Sequence, residues 1–300
     1  MTDFQGVYAA SITPRGKQGE MDLGAAFELI DHFCAAKLRG VVLFGAWGEY
    51  PAFAAEERSR LVYLAVKRSR VPVLAGVGSA TLDASMDLAR EARAAGAAGV
   101  LLPPPYCFRF EAEDIREFYL EFARQMGPGI AVFLSNNPAL TNTIPSETAF
   151  ELLETGKFAG IEDGCGNAES FFRTRSAANG AWQVLMGNDA VFTSARCAGV
   201  RCAVSAVACA VPELVMSLDG AIASGRQDQV TLLDTALREF LNWATRFPPP
   251  TIVRVATGLR GLKTGPVTMP LSAEKQRLLE EFRGWFPPWL AEVKRLCGKT

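Results

Sequence analysis

The stretch Val71–Pro104, VPVLAGVGSATLDASMDLAREARAAGAAGVLLPP, decides the architecture. It opens on a continuously apolar run, Val71–Ala75, as a strand buried on both faces requires. Ser79 or Thr81 then offers a hydroxyl N-cap, Asp83 puts an acid in the first helical turn, and apolar residues return every third or fourth position over Leu82–Ala95. Gly96 stands where a left-handed C-cap is needed. A second apolar run, Gly99–Leu102, follows at once. The stretch is one strand–helix–strand unit with a crossover long enough for a parallel pair.

Outward from this unit the same pattern repeats. Strands are expected at Val7–Ile12, Gly40–Phe44, Ile130–Leu134, Phe158–Ile161, Gln183–Met186 and Cys202–Ser205. The helical patterns between and after them are Leu23–Ala36, Ala55–Ser69, Ala112–Gln125, Ser146–Leu153, Ala168–Ala178, Ala190–Ala198 and Pro212–Ser224. With the opening unit this makes eight strand–helix repeats, so the expected class is α/β and the expected fold a (β/α)8 TIM barrel. A doubly wound open sheet is the alternative, but no G-x-G-x-x-G follows an early strand, and GVGSAT at Gly76–Thr81 lacks the lysine of a phosphate loop. From Gln227 the alternation stops. Residues 227–246, 251–262 and 272–296 read as helices, which divides the chain into a barrel, 1–225, and a C-terminal helical extension, 226–300. The aromatic segment FRGWFPPWL (Phe282–Leu290) faces either the core or an interface.

Composition removes several function classes. The chain has 300 residues, 49% of them apolar, and a formal net charge of −1, without the basic stripe that nucleic-acid binding needs. No apolar run is long enough to span a membrane, and the start of the sequence lacks a secretory pattern. Seven cysteines without framework spacing read as reduced thiols, so a cytoplasmic location is expected. Lysine and arginine together number 31, yet only eight are lysines.

In a barrel of this kind chemistry sits at the strand C-termini. Those ends deliver Ser11 and Thr13, Gly45–Glu49, Gly78 and Ser79, Pro105–Cys107, Ser135–Pro138, Glu162 and Asp163, Gly187–Asp189, and Ser205. The single histidine, His32, lies on the first helix, which removes a Cys/His or Ser/His/Asp mechanism. Cys197, Cys202 and Cys209 read as small core residues rather than a zinc site. Glu49, Glu162 and Asp189 lack any metal-ligand spacing, and neither a metal nor a cofactor is expected. Trp47 either fills the mouth or gives it a flat wall.

In order and spacing, GVYAASITP, GAWGE, VPVLAGVGS, PPPY, LSNNP, GIEDGCGN and MGND resemble the dihydrodipicolinate synthase / N-acetylneuraminate lyase family. The resemblance implies a homo-oligomer, dimer or tetramer, and a small-molecule pocket for an oxo-acid or a related carboxylate or sugar acid. It also implies a lysine at the end of strand six that forms a Schiff base with the oxo-acid; Glu162 stands at that position and cannot form an imine. The family's strand-five tyrosine is matched by Ser135 and its partner after strand four by Cys107, beside Tyr106. Its two carboxylate-holding threonines are matched by Ala46 and Trp47, and its second-substrate arginine by Leu140. None of the eight lysines is expected at a strand end: Lys157 opens strand six instead of closing it, and Lys263 would need a fold-back to reach the mouth.

The expectation is therefore a divergent member without Schiff-base chemistry. Its catalytic candidates are Glu162 and Ser135, and its ligand-contacting candidates Ala46, Trp47, Tyr106, Cys107, Asn136 and Val204. Glu162 is either a general acid/base of an active lyase or hydratase, or an acid retained after catalysis was lost and bonded to Ser135 or Asn136. A non-enzymatic binding or regulatory subunit is the alternative from another class. An ordinary synthase, with some lysine moving into place, is the remaining one.

Overall fold

The repeat closes a circle. The computed structural model describes residues 4–298, and its strands are β1 (Gly6–Ala10), β2 (Gly40–Leu43), β3 (Val73–Gly76), β4 (Gly99–Leu102), β5 (Ala131–Asn136), β6 (Gly160–Asp163), β7 (Gln183–Met186) and β8 (Cys202–Ser205). Each pairs in parallel with the next, and β8 returns to β1 through Gly6 opposite Cys202 and Val7 opposite Ala203. Closure excludes the open sheet. The crossovers are filled by α1 (Leu23–Ala35), α2 (Ala55–Arg68), α3 (Leu82–Ala95), α4 (Ala112–Met126), α5 (Ser146–Glu154), α6 (Ala168–Ala178) and α7 (Phe192–Cys197). After β8 come α8 (Val207–Ala210) and α9 (Pro212–Ala223), then the C-terminal helices α10 (Gln227–Ala244), α11 (Thr251–Leu259) and α12 (Ala273–Leu296). No helix among the described residues is long and apolar enough to cross a membrane.

The local signals act as read. Thr81, rather than Ser79, caps α3 by accepting the Ala84 N–H, and Gly96 ends it at φ +88°. The strands are buried along their length because helices cover the outside and side chains fill the inside.

Two expectations need correction near the seventh unit. The helix expected over Ala190–Ala198 is broken: residues 189–191 form a short tight turn, and α7 starts only at Phe192. In six residues α7 buries only Phe192 and Ala195, so Cys197 falls on the solvent side instead of in the core, unlike the buried Cys202 and Cys209.

The C-terminal helices pack inward. Phe240 of α10 meets Phe282, Phe286 and Trp289 of α12 at ring-centroid distances of 6.4, 6.3 and 5.7 Å, and Trp289 donates its indole N–H to Glu239 at 2.8 Å. The FRGWFPPWL segment thus lays its rings on α10. Beyond α11 the chain does fold back: the Arg15 N–H donates to the Thr264 carbonyl at 3.3 Å. Gly265, at φ +79°, lies so close to Arg15 that a methyl group there would sit 2.1 Å from its carbonyl oxygen.

Candidate active site at the barrel mouth

Parallel register places Ser135 of β5 directly opposite Glu162 of β6. The Ser135 hydroxyl donates to Glu162 Oε2 at 2.5 Å, and both residues are buried. Burial pushes the Glu162 carboxyl up to about 7; the Ser135 hydrogen bond works against that shift and the neighbouring Asp163 charge adds to it. Its other oxygen lies against Gly187, where a methyl group would come within 2.3 Å of Oε1. Glycine at 187 makes room for this carboxyl. Asp163, one residue on, belongs to the opposite face of the strand and accepts the Cys165 N–H at 3.0 Å. Its carboxyl is also raised by burial.

The other mouth acids are structural anchors. Buried Asp189 accepts from the Ser205 hydroxyl at 2.5 Å and from the Ala206 and Val207 N–H groups at 2.9 and 3.0 Å, which ties the end of β8 and the start of α8 to the β7 loop. Burial raises its pKa, and these three bonds oppose the rise. Glu49 sits at φ +52° and binds the buried Arg254 guanidinium and the Thr268 hydroxyl, the latter at 2.7 Å. Among the described residues no three His, Cys, Asp or Glu side chains are grouped to hold a metal.

A cavity of about 240 Å³ opens between these loops and the C-terminal helices. Ala46, Trp47, Asn137, Cys165, Gly187 and Asn188 form its barrel side, and Phe240, Leu241 and Val253 close it from α10 and α11. A smaller recess beside it reaches Ser135, Asn137 and Leu140. Trp47 therefore stands on the wall of an open space. Glu162 lies behind Ser135 and Gly187.

The remaining ligand-contacting candidates are placed elsewhere. Tyr106 stands edge-on to Tyr50 with ring centroids 5.8 Å apart, and Cys107 is exposed at φ +81°. Asn136 faces the other way from Ser135 and accepts the Ile144 N–H at 3.0 Å, holding its own loop. Val204 is buried in the β8 wall. None of these four lines the cavity or the recess. Sequence reading missed Asn137 and Asn188, although both stand in the strand-end motifs LSNNP and MGND. Phe240 and Val253 carry no local signal; only the tertiary fold brings them to the mouth.

Two buried arginines near the strand ends hold backbone carbonyls. Arg58 donates to the Gly76 and Gly78 carbonyls at 2.9 Å each, under the Tyr50 ring. Arg254 binds the Thr13 and Thr264 carbonyls as well as Glu49. Of the lysines, Lys157 is exposed ahead of β6, and Lys17 and Lys263 are exposed on loops of the mouth side. Lys263 reaches that side through the fold-back, contrary to expectation. Lys299 lies outside the described residues. His32 lies outside the barrel on α1, its pKa lowered by burial and by Arg260.

The profile of the Dihydrodipicolinate synthetase family matches residues 3–283. The chain is 25% identical over 280 residues to 4-hydroxy-tetrahydrodipicolinate synthase 1 of Halalkalibacterium halodurans, covering 91% of this chain and 94% of that one. The structure of the 4-hydroxy-tetrahydrodipicolinate synthase from Methylacidiphilum fumariolicum SolV superposes with a TM-score of 0.87 at 26% identity, covering 98% of this chain and 99% of that one. Sialic acid aldolase of Ruminococcus gnavus shares the fold, with a TM-score of 0.86 at 21% identity and coverage of 97% and 98%.

Proposed function

Because the chain belongs to the dihydrodipicolinate synthetase family and carries a buried glutamate at the end of β6, we propose that it is a divergent member that binds a small molecule at the barrel mouth and has lost the imine-forming step. The observation that carries this reading is the Ser135–Glu162 pair, which occupies the β5–β6 position where the family resemblance calls for a tyrosine and a lysine. A carboxylate has no amine to attack a carbonyl and cannot become the protonated imine that withdraws electrons from a bound oxo-acid. The resemblance puts oxo-acids, related carboxylates and sugar acids first among molecules to screen, and it supports a homo-oligomer, dimer or tetramer, in the cytoplasm.

One observation favours a second reading in which turnover persists. Glu162, with its carboxyl near 7, would exchange protons readily at neutral pH, and Ser135 stands between it and the recess. In that case Glu162 acts as general acid/base of a lyase or hydratase, through Ser135 and without a covalent intermediate.

Incubation with pyruvate and borohydride, followed by intact-mass measurement, tests the proposal. The expected mass is that of the untreated chain. A stable gain of one reduced pyruvate adduct would overturn the loss of imine chemistry, and peptide mapping would then show whether Lys17 or Lys263 carries it.

A further inference from the structure

We infer that the mouth cavity takes an uncharged, ring-bearing small molecule rather than a free carboxylate. This rests on the reading of the cavity as the ligand site and departs from the carboxylates that the family resemblance puts first. Among the described residues, no lysine, arginine or histidine lines either the cavity or its recess. A carboxylate moved out of water needs a cation or several aimed donors to replace its hydration. The nearby guanidinium groups line neither space: Arg58 is held by two carbonyls, Arg254 by Glu49 and two more, and Arg15, whose Nε and Nη2 have no hydrogen-bond partner among the described residues, lies over the Phe53 ring beside Glu49.

The wall has the opposite sign. Asp189 is the one acidic side chain lining the cavity, and Glu162 stands just behind Gly187. An anionic ligand would meet no counter-ion there, because the Asp189 carboxyl already accepts from Ser205, Ala206 and Val207 and offers no donor. What the wall offers instead is apolar surface and a ring, from Trp47, Leu140, Leu241 and Pro249, with one adaptable amide. Asn188 is tied on both ends, donating to the Gly164 carbonyl at 3.2 Å and accepting the Ala190 N–H at 3.0 Å. Asn137 is thus left to meet a carbonyl, hydroxyl or amide of the ligand. Leu140, exposed on the rim, is apolar at the position where the family resemblance calls for an arginine.

The test uses matched carboxylate and carboxamide pairs, aryl (benzoate and benzamide, phenylacetate and phenylacetamide) and aliphatic (pyruvate and pyruvamide), against the full chain. Binding is read by thermal shift and by quenching of tryptophan fluorescence. The expected result is at least tenfold tighter binding of the aryl amides than of their acids, weakened by Trp47→Ala. In Leu140→Arg, which changes only an exposed side chain, the preference should move toward the acids. Equal or tighter binding of the acids by the natural chain overturns the inference, and so does the absence of binding by every member of every pair. Neither outcome bears on the imine, whose loss stands or falls on borohydride trapping alone.

Discussion

Replacing Glu162 by glutamine should raise stability at alkaline pH and leave it nearly unchanged in mild acid. Glutamine keeps the shape and can still accept from Ser135, but it carries no charge to bury. In the native chain the carboxyl is held near 7 instead of its ordinary 4.5. Below 4.5 it is protonated in both the folded and unfolded states and costs nothing. Between 4.5 and 7 the unfolded chain ionises while the folded one does not, so stability falls by about 1.4 kcal/mol per pH unit, to a total of roughly 3 kcal/mol above 7. A chain of this size shifts its Tm by about 1.5–2 °C per kcal/mol, so the variant should gain roughly 5 °C at pH 8 and roughly 1 °C at pH 5. Asp189, also raised by burial, contributes to both proteins and cancels in the difference, while Asp163, whose charge adds to the Glu162 shift, is relieved in the variant and widens it. Calorimetry or fluorescence-detected melting from pH 4.5 to 8.5 gives that difference directly. Parallel profiles, with a gap that does not widen between pH 5 and 8, would refute the claim that a buried, desolvated carboxyl stands at the end of β6.

Gly187→Ala should lose about 1–3 kcal/mol in urea denaturation, since its methyl group would press on Glu162 Oε1 at 2.3 Å and on the Asp163 carbonyl at 3.0 Å. Pairing it with Glu162→Ala should restore part of that loss, and strict additivity of the two changes would show that the residues do not touch. Glu49→Ala should cost about 3 kcal/mol because it leaves the Arg254 guanidinium buried without its counter-ion; a change under 1 kcal/mol would mean that the backbone carbonyls alone hold that arginine.

Much of this molecule could be read in the chain. The eight strands are legible as apolar runs, while their ends are not: the sixth, expected at Phe158–Ile161, stands at Gly160–Asp163. Glu162 is legible because it stands at the end of such a run, at the position where the family resemblance calls for a lysine. The choice between Ser135 and Asn136 as its partner needed the register of β5 against β6, since a single step along a strand moves a side chain to the other face. Asn136 was misplaced by that one step. The outer wall of the cavity was hidden for a different reason: Phe240 and Val253 belong to helices whose apolar stripes name no particular partner. The fold-back of residues 264–268 was hidden likewise, because it rests on a backbone carbonyl, a glycine and one hydroxyl, none of which forms a sequence pattern.

The Glu49–Arg254 pair joins positions 205 residues apart, and Thr268 reaches the same carboxylate from 219 residues away. The loop bearing Ala46 and Trp47 is therefore pinned by residues that follow all eight strands in the chain. All eight strands precede, in the chain, the residues that give the mouth its final shape. The final shape of the mouth is thus set by contacts made after the barrel strands, by residues far from them in the chain.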